Sequence, residues 1–286
     1  MSSFRSSPGP ASKSESLPVA TAGFQVKTKQ GDKKVTQHGH PVNGGPAPLL
    51  NVKLCLEALQ AATNRPAHLP GIVCMYGPSG YGKSTAAAYV ATRTDAYYVE
   101  CRSSWTKKAF LLAILQTMDI RDGGRKQPAR TIYGMVDQAA EVLAAGRPLI
   151  VDEMDYLVDK NAVEIVKDLY ESSRATILII GEERLPGKLE AWERFHGRVM
   201  HWVQAQPADI EDAKALRAMY CDRVRVADDL LALVVETAKG SVRRICVNLE
   251  RIQAEGLADG LEVMDRTAWG SRKLFTGEAP MRRGLR

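Results

Sequence analysis

Apolar residues recur at three- and four-residue spacing across PLLNVKLCLEALQAAT, residues 48–63. Leu50, Leu54, Leu56, Leu59 and Ala62 mark the buried face of a predicted helix. NRPAHLPG then breaks the pattern. Beyond it the apolar positions change character, running on for several residues with little alternation. GIVCMY (71–76), YYVEC (97–101), RPLIVDE (147–153), ATILIIG (175–181) and RVMHWVQ (198–204) read as five strands. Helical spacing returns between them: from Lys83, through KKAFLLAILQTM, through TIYGMVDQAAEVLAA and through NAVEIVKDLYESS. RDGGRKQPAR (121–130) reads as a loop. Apolar strands without two-residue alternation, separated by helices, predict a parallel sheet covered on both faces. After Pro207 the strand pattern stops, and three helical stretches follow to Ala258.

Charge divides the chain differently. Residues 1–47 are rich in Ser, Pro, Gly, Lys and Thr, with six basic and two acidic residues and little apolar periodicity. Residues 266–286 hold six basic and one acidic residue, while the whole chain is +6, so the body between is slightly acidic. The expected organisation is a disordered basic arm (1–47), an α/β domain (48–206), a small helical domain (207–265) and a basic tail (266–286). Basic ends on a slightly acidic body suit contact with a polyanion. The 286 residues are 45% hydrophobic, enough to bury a core. No apolar run approaches the ~20 residues of a membrane span, and MSSFRSSPGPASKSES lacks the apolar core of a signal peptide. Five scattered cysteines without a CxxC pair suit reduced thiols. A cytoplasmic protein without membrane contact is expected.

One stretch carries chemistry directly. Gly77-Pro78-Ser79-Gly80-Tyr81-Gly82-Lys83-Ser84 fits G-x-x-x-x-G-K-[ST] and lies between a predicted strand and a predicted helix, the context that makes it a P-loop. Small residues let successive backbone N–H groups curl round phosphates, and the helix start adds its positive dipole end. Lys83 is then placed for the β- and γ-oxygens and Ser84 for Mg²⁺. Thr85 continues the helix and is a candidate for the α-phosphate. PLIVDEMD supplies the acidic partner, with Asp152 and Glu153 at the C-terminal end of a buried strand, where ligands gather in open α/β sheets. Asp152 is expected to hold Mg²⁺ through water, and Glu153 to orient or deprotonate the attacking water. Asp155 and Asp159 read as helix-start or surface carboxylates. A small-molecule kinase shares the loop but needs neither the second acid nor a separate helical domain, so ATP hydrolysis is expected.

The P-loop, the Asp-Glu strand end, the further central strand and the C-terminal helices together resemble an AAA+ ATPase over roughly residues 48–260. That resemblance implies a P-loop AAA+ sheet of five parallel strands, followed by a helical lid. It implies a polar sensor after the fourth strand, where ILIIGEERL places Glu182; family members usually carry Asn, Thr or Gln, and an ionised Glu cannot donate. It implies an arginine finger for a neighbouring subunit, Arg198 in WERFHGRVM, with Arg194 in reserve. It also implies an arginine opening the last lid helix: in KGSVRRICVNLERI this is Arg243, with Arg244 second and Ser241 as helix cap.

Within AAA+ proteins, LLNVKLCLEAL, GPSGYGKSTAA, LIVDEMD and LIIGEERLPGKLEAWERFHGRV are similar to the transposition target-selector group of MuB, TnsC and TniB. ExeA-type secretion ATPases and Orc/Cdc6 initiators are neighbouring groups. The resemblance implies ATP-bound subunits that polymerise on double-stranded DNA, recruit and stimulate a DDE transposase, and disassemble on hydrolysis. Sequence-neutral DNA contact calls for cations aimed at phosphates. The candidates are Lys107, Lys108, Arg121, Arg125, Lys126 and Arg130. Trp105 beside the lysines is expected in core or interface packing, and His196 and His201 in structural roles. The alternatives are a replication initiator or helicase loader, for which the stretch after Asp265 is short for a winged helix, and an ExeA-like secretion ATPase, for which a membrane span is missing.

Overall fold

The structure, a computed structural model, describes residues 49–122 and 127–278, with the backbone alone at 120–122. The expected basic arm, Arg125, Lys126, the Arg121 side chain and the last eight residues lie outside the described part. All described residues fall within one compact unit.

The first part runs α1 (Leu50–Thr63), β1 (Ile72–Tyr76), α2 (Lys83–Thr94), β2 (Tyr97–Glu100), α3 (Lys107–Asp122), α4 (Ile132–Leu143), β3 (Leu149–Asp152), α5 (Asp155–Asp159) and α6 (Val163–Ser173). It continues with β4 (Ile177–Gly181), α7 (Leu185–Glu190), α8 (Glu193–His196) and β5 (Val199–Gln204). The later part comprises α9 (Ile210–Tyr220), β6 (Arg225–Val226), α10 (Asp228–Ala238), α11 (Val242–Ala258), β7 (Val263–Met264) and α12 (Arg266–Trp269). The five expected strands form one sheet in the order β2-β3-β4-β1-β5, and every pair is parallel.

Pleating sends successive side chains to opposite faces, so each apolar run feeds two cores. Val73, Met75, Ile150, Leu178 and Ile180 cluster with Cys55 and Leu59 of α1 and Ala87 and Val90 of α2. Ile72, Cys74, Leu149, Val151, Ile177 and Ile179 cluster with Phe110, Leu143 and Leu169 from α3, α4 and α6. Burying each large side chain contributes about 1.5–3 kcal/mol. The sheet interior is therefore fixed by the very runs that lacked alternation.

Three features depart from the sequence-based expectation. Strands do not stop at Pro207: β6 and β7 pair in parallel, Arg225 with Val263 and Val226 with Met264. Two residues each are too few to leave a periodic signal. Residues 266–278, expected as the start of a basic tail, are packed. Trp269 is 1% exposed, with the guanidiniums of Arg251 and Arg272 over its ring at 5.9 and 5.8 Å. Asn248, fully buried, donates to the Phe275 carbonyl and accepts the Phe275 N–H. Lastly, Asp155 does open α5, but it is buried rather than superficial. Its Oδ2 accepts the Glu182 N–H at 2.7 Å, and Oδ1 pairs with Lys188 at 3.1 Å.

That carboxylate sets a steric limit at Gly181. A Cβ there would lie 2.3 Å from Asp155 Oδ2 and 2.5 Å from Leu185 Cδ2. Gly181→Ala is expected to lower stability by about 1–3 kcal/mol through overpacking. An unchanged unfolding midpoint in urea would show that the β4–α5 junction is looser than this.

Candidate nucleotide site

The loop between β1 and α2 is shaped by backbone conformations that glycine alone adopts freely. Gly77, Gly80 and Gly82 have φ of 153°, 87° and 82°, the region where a Cβ is penalised. Space is equally tight. A Cβ on Gly77 would sit 2.9 Å from Ala205 Cβ, and one on Gly80 2.6 Å from Ser241 Oγ. The loop is thus gripped from two sides. Ala205 N–H, just past β5, donates to the Tyr76 carbonyl at 2.8 Å. From the helical region, the Arg243 N–H donates to the Gly80 carbonyl at 3.2 Å, and Ser241 Oγ reaches the same oxygen at 3.5 Å. Ser241 also caps α11 by accepting the Arg244 N–H, as its position before the helix predicts.

A third tie was not read from the sequence. Asn51 of α1, 2% exposed, donates to the carbonyls of Tyr81 and Gln206 and accepts the Gln206 N–H, all at 2.8–2.9 Å. It joins the glycine loop to the segment leading into α9. The sequence sign was a polar residue flanked by the apolar Leu49, Leu50 and Val52.

A cleft of about 380 Å³ opens here. It is lined by Gly80, Gly82, Lys83, Ser84, Thr85, Asp152, Glu153, Glu182 and Arg243, with Leu49, Tyr220 and Val247 among its remaining residues. Lys83 folds back on the loop, its Nζ donating to the carbonyls of Gly77 at 2.7 Å and Pro78 at 3.0 Å. Burial pushes its pKa below the ordinary lysine value, while Asp152, Glu153, Glu182 and Asp155 pull it back up. Asp152 is 1% exposed. Its Oδ1 accepts the Glu153 N–H, and its Oδ2 accepts the Tyr98 hydroxyl, each at 2.8 Å. Burial and the Asp152 charge drive the Tyr98 phenol well above its usual range, so it stays a donor.

Glu153 is conformationally unusual. Among the described residues five non-glycines have positive φ. Asp95, Arg174 and Lys239 are helix C-caps, and Asn161 directly follows the C-cap of α5. Glu153, at φ 55°, instead follows a strand. Such a backbone costs on the order of 1–3 kcal/mol and collects at functional sites. Burial first, then Asp152, Asp155, Glu100 and Glu182, raise the Glu153 pKa above the ordinary carboxylate value. Proton uptake from water is helped by that direction of shift.

The structure brings together in this cleft Lys83, Ser84, Thr85, Asp152, Glu153, Glu182 and Arg243, whereas Arg244 faces Gly277. Arg198 lies elsewhere. Its carbonyl accepts the Ile72 N–H at the start of β1, the sheet edge opposite the glycine loop, and its guanidinium bonds Glu171 at 2.9 and 3.1 Å. It cannot serve its own cleft. Arg194, exposed on α8, is near the same edge. Lys107 and Lys108 are exposed at the start of α3, and Arg130 is exposed beyond its end. Lys107 and Lys108 open the sixteen-residue α3, about 24 Å from its far end, and Arg130 follows that end in the chain. Trp105 packs partly into the core with Arg102 over its ring at 5.7 Å. His196 stacks at a tilt on Trp202, and His201 is half-buried in β5.

The residues fit a Mg²⁺-bound nucleoside triphosphate: a loop of three positive-φ glycines, with Lys83, the Ser84 and Thr85 hydroxyls and the fixed Asp152 carboxylate in the same cleft. Among the described residues no group of three or more His, Cys, Asp or Glu side chains could hold a metal. The few oxygens of Ser84 and Asp152 match the way Mg²⁺ is shared with substrate phosphates. No helix among the described residues is long and apolar enough to cross a membrane.

Comparison with known proteins agrees on the fold. Residues 67–189 match the family described as AAA domain. No curated protein sequence matches the chain significantly. Among solved structures, Cdc6p of Pyrobaculum aerophilum is similar at TM-score 0.56 and 14% identity, covering 78% of this chain and 66% of that one. The Aeropyrum pernix Orc1 protein, solved in complex with DNA, gives 0.54 and 18%, over 76% and 62%. The RuvB Holliday junction branch migration motor of Thermotoga maritima gives 0.53 and 17%, over 78% and 67%. The chain thus spans slightly under two thirds of the length of the Cdc6p and Orc1 structures. Such identities speak to fold alone. The chain has the P-loop AAA+ fold, a five-stranded parallel sheet flanked by helices with a helical C-terminal region, and its residues 67–189 are similar to the AAA domain family.

Proposed function

We propose that the chain hydrolyses ATP with Mg²⁺ and uses the cycle to assemble on duplex DNA and leave it, serving as a target selector for a DDE transposase. The observation that carries the hydrolytic part is the meeting of Lys83, Asp152, Glu153 and Arg243 in one cleft roofed by the helical region. When bound, Mg²⁺ would supply charge neutralisation at the phosphates. Lys83 and the loop N–H groups would hold the phosphate oxygens; Asp152 and Ser84 would hold the cation. Glu153 orients the attacking water and takes its proton. Arg243 reports the γ-phosphate to α11, whose first turn already rests on the loop. Glu182, lacking a donor when ionised, serves as an acceptor for water.

Assembly is supported by Arg198, which faces away from its own cleft and is available to a neighbour's γ-phosphate. A head-to-tail contact that does not close produces a helical filament. Lys107, Lys108 and Arg130 are exposed cations for phosphate contact, and the motifs quoted from residues 48–200 support the transposition group. The initiator reading keeps support from the structural likeness to Cdc6p and to the DNA-bound Orc1.

One experiment separates the two. Purified protein with ATP, Mg²⁺ and duplex DNA of arbitrary sequence at low salt is expected to form long filaments in negative-stain images, which dissolve as ATP is consumed. The binding constant should fall steeply with salt, with a log–log slope of about −0.9 per phosphate contacted. Discrete rings or single particles on DNA would favour the initiator or loader, and no DNA binding would end the proposal.

A further inference from the structure

The buried Asp152 carboxylate is held by two donors of different kinds. The Glu153 N–H is a backbone group that any residue at 153 supplies. The Tyr98 hydroxyl is specific, and it comes from the neighbouring strand. In the β2–β3 register Tyr98 pairs with Ile150 and Glu100 with Asp152. Residues two apart share a face, so Tyr98 and Asp152 are diagonal neighbours on the face that carries α1 and α2. That diagonal is within reach of an aromatic side chain and too long for a serine or threonine hydroxyl. The donor is also neutral. A lysine or arginine there would cancel the negative charge that a cation needs, whereas a phenol fixes the carboxylate and leaves its charge intact. Tyr98 is not among the residues that line the nucleotide cleft; it lines a separate groove of about 390 Å³ with Arg102, Trp105 and Gln116.

We infer that Tyr98 is a positioning residue for the divalent cation: its hydroxyl locks the Asp152 carboxylate in the orientation that receives Mg²⁺ with the nucleotide. This rests on the nucleotide reading above. Without the hydroxyl, Asp152 keeps its charge and its bond to the Glu153 N–H but can turn about its terminal torsion. Losing such an outer partner of a ligating carboxylate typically weakens metal binding by about 10-fold or more.

The test uses the full chain as wild type, Tyr98→Phe and Asp152→Asn, each loaded with a non-hydrolysable ATP analogue and titrated with Mn²⁺. Free Mn²⁺ is read by electron paramagnetic resonance. Tyr98→Phe preserves the ring and should raise the Mn²⁺ dissociation constant about 10-fold, with metal-free nucleotide binding and cooperative unfolding retained. The Mg²⁺ concentration giving half-maximal hydrolysis should rise in parallel. An unaltered Mn²⁺ constant in Tyr98→Phe, beside a weakened one in Asp152→Asn, overturns the inference while leaving the nucleotide site standing. Loss of metal-free nucleotide binding or of cooperative unfolding in Tyr98→Phe also overturns it, marking the phenol as structural. A wild type that binds no Mn²⁺–nucleotide overturns the site itself, and the inference with it.

Discussion

Glu153→Gln is expected to bind ATP as the wild type does and to hydrolyse it at least about 100-fold more slowly, the range over which a positioned general base acts. Glutamine keeps the size of the side chain and its place in the cleft, but it cannot accept a proton from water. Binding should persist because the groups that grip phosphate, the loop N–H groups and Lys83, are untouched. The variant should therefore remain trapped in the ATP state and hold its assemblies on DNA instead of shedding them. The pH dependence follows the same logic. Burial and neighbouring carboxylates raise the Glu153 pKa, and the residue works only when ionised. Wild-type hydrolysis should thus decline on acidification at a higher pH than an ordinary glutamate would impose, and the residual rate of Glu153→Gln should lack that inflection. Phosphate release assayed between pH 5 and 8 reads both effects. Equal rates in variant and wild type would remove Glu153 from the mechanism.

The difference between what was legible in the sequence and what was not has a physical basis. The glycine loop could be read because its features are local: three positive-φ glycines, a lysine and a terminal serine lie within eight residues, and the proposed phosphate grip comes from the backbone itself. The five strands could be read because a sheet covered on both faces leaves no polar positions in Ile72–Met75 or Ile177–Ile180. Asn51, Tyr98 and Asp155 could not. Each is a single polar side chain whose partner lies between 27 and 155 residues away, and the meeting is decided by strand order, which periodicity does not encode. Tyr98 reaches Asp152 only because β2 lies beside β3. Residues 266–278 misled in another way. Their cationic count suggested a solvated tail, yet one of those cations, Arg272, joins Arg251 of α11 over the ring of a buried tryptophan. Long basic side chains bury their stems and the rings beneath them while keeping the charge wet. Net charge alone cannot tell that arrangement from a free arm.

Arg198→Ala is expected to lower DNA-stimulated ATP hydrolysis by about 10³-fold, the smaller end of what an arginine offered across an interface contributes. The isolated protomer should still bind ATP, because Arg198 lies at the opposite sheet edge from the cleft. Its fold should hold as well. The pair with Glu171 is 43% and 38% exposed, and ion pairs of that kind contribute about 0–1 kcal/mol. Under the proposed role Arg198 acts in trans, and mixing makes this visible. Arg198→Ala has an intact cleft without a donor to give; Glu153→Gln has an intact donor beside a dead cleft. Each alone should be nearly inactive. Mixed on DNA, every interface in which Glu153→Gln presents its arginine to an Arg198→Ala cleft regains a complete site, so activity should rise well above the sum of the two. Arg194→Ala, assayed alongside, decides between the two arginines at that edge. If Arg194→Ala carries the loss and Arg198→Ala does not, the finger is Arg194. If the mixture yields no more than its components, the cleft is complete within one protomer, and hydrolysis has no necessary link to assembly.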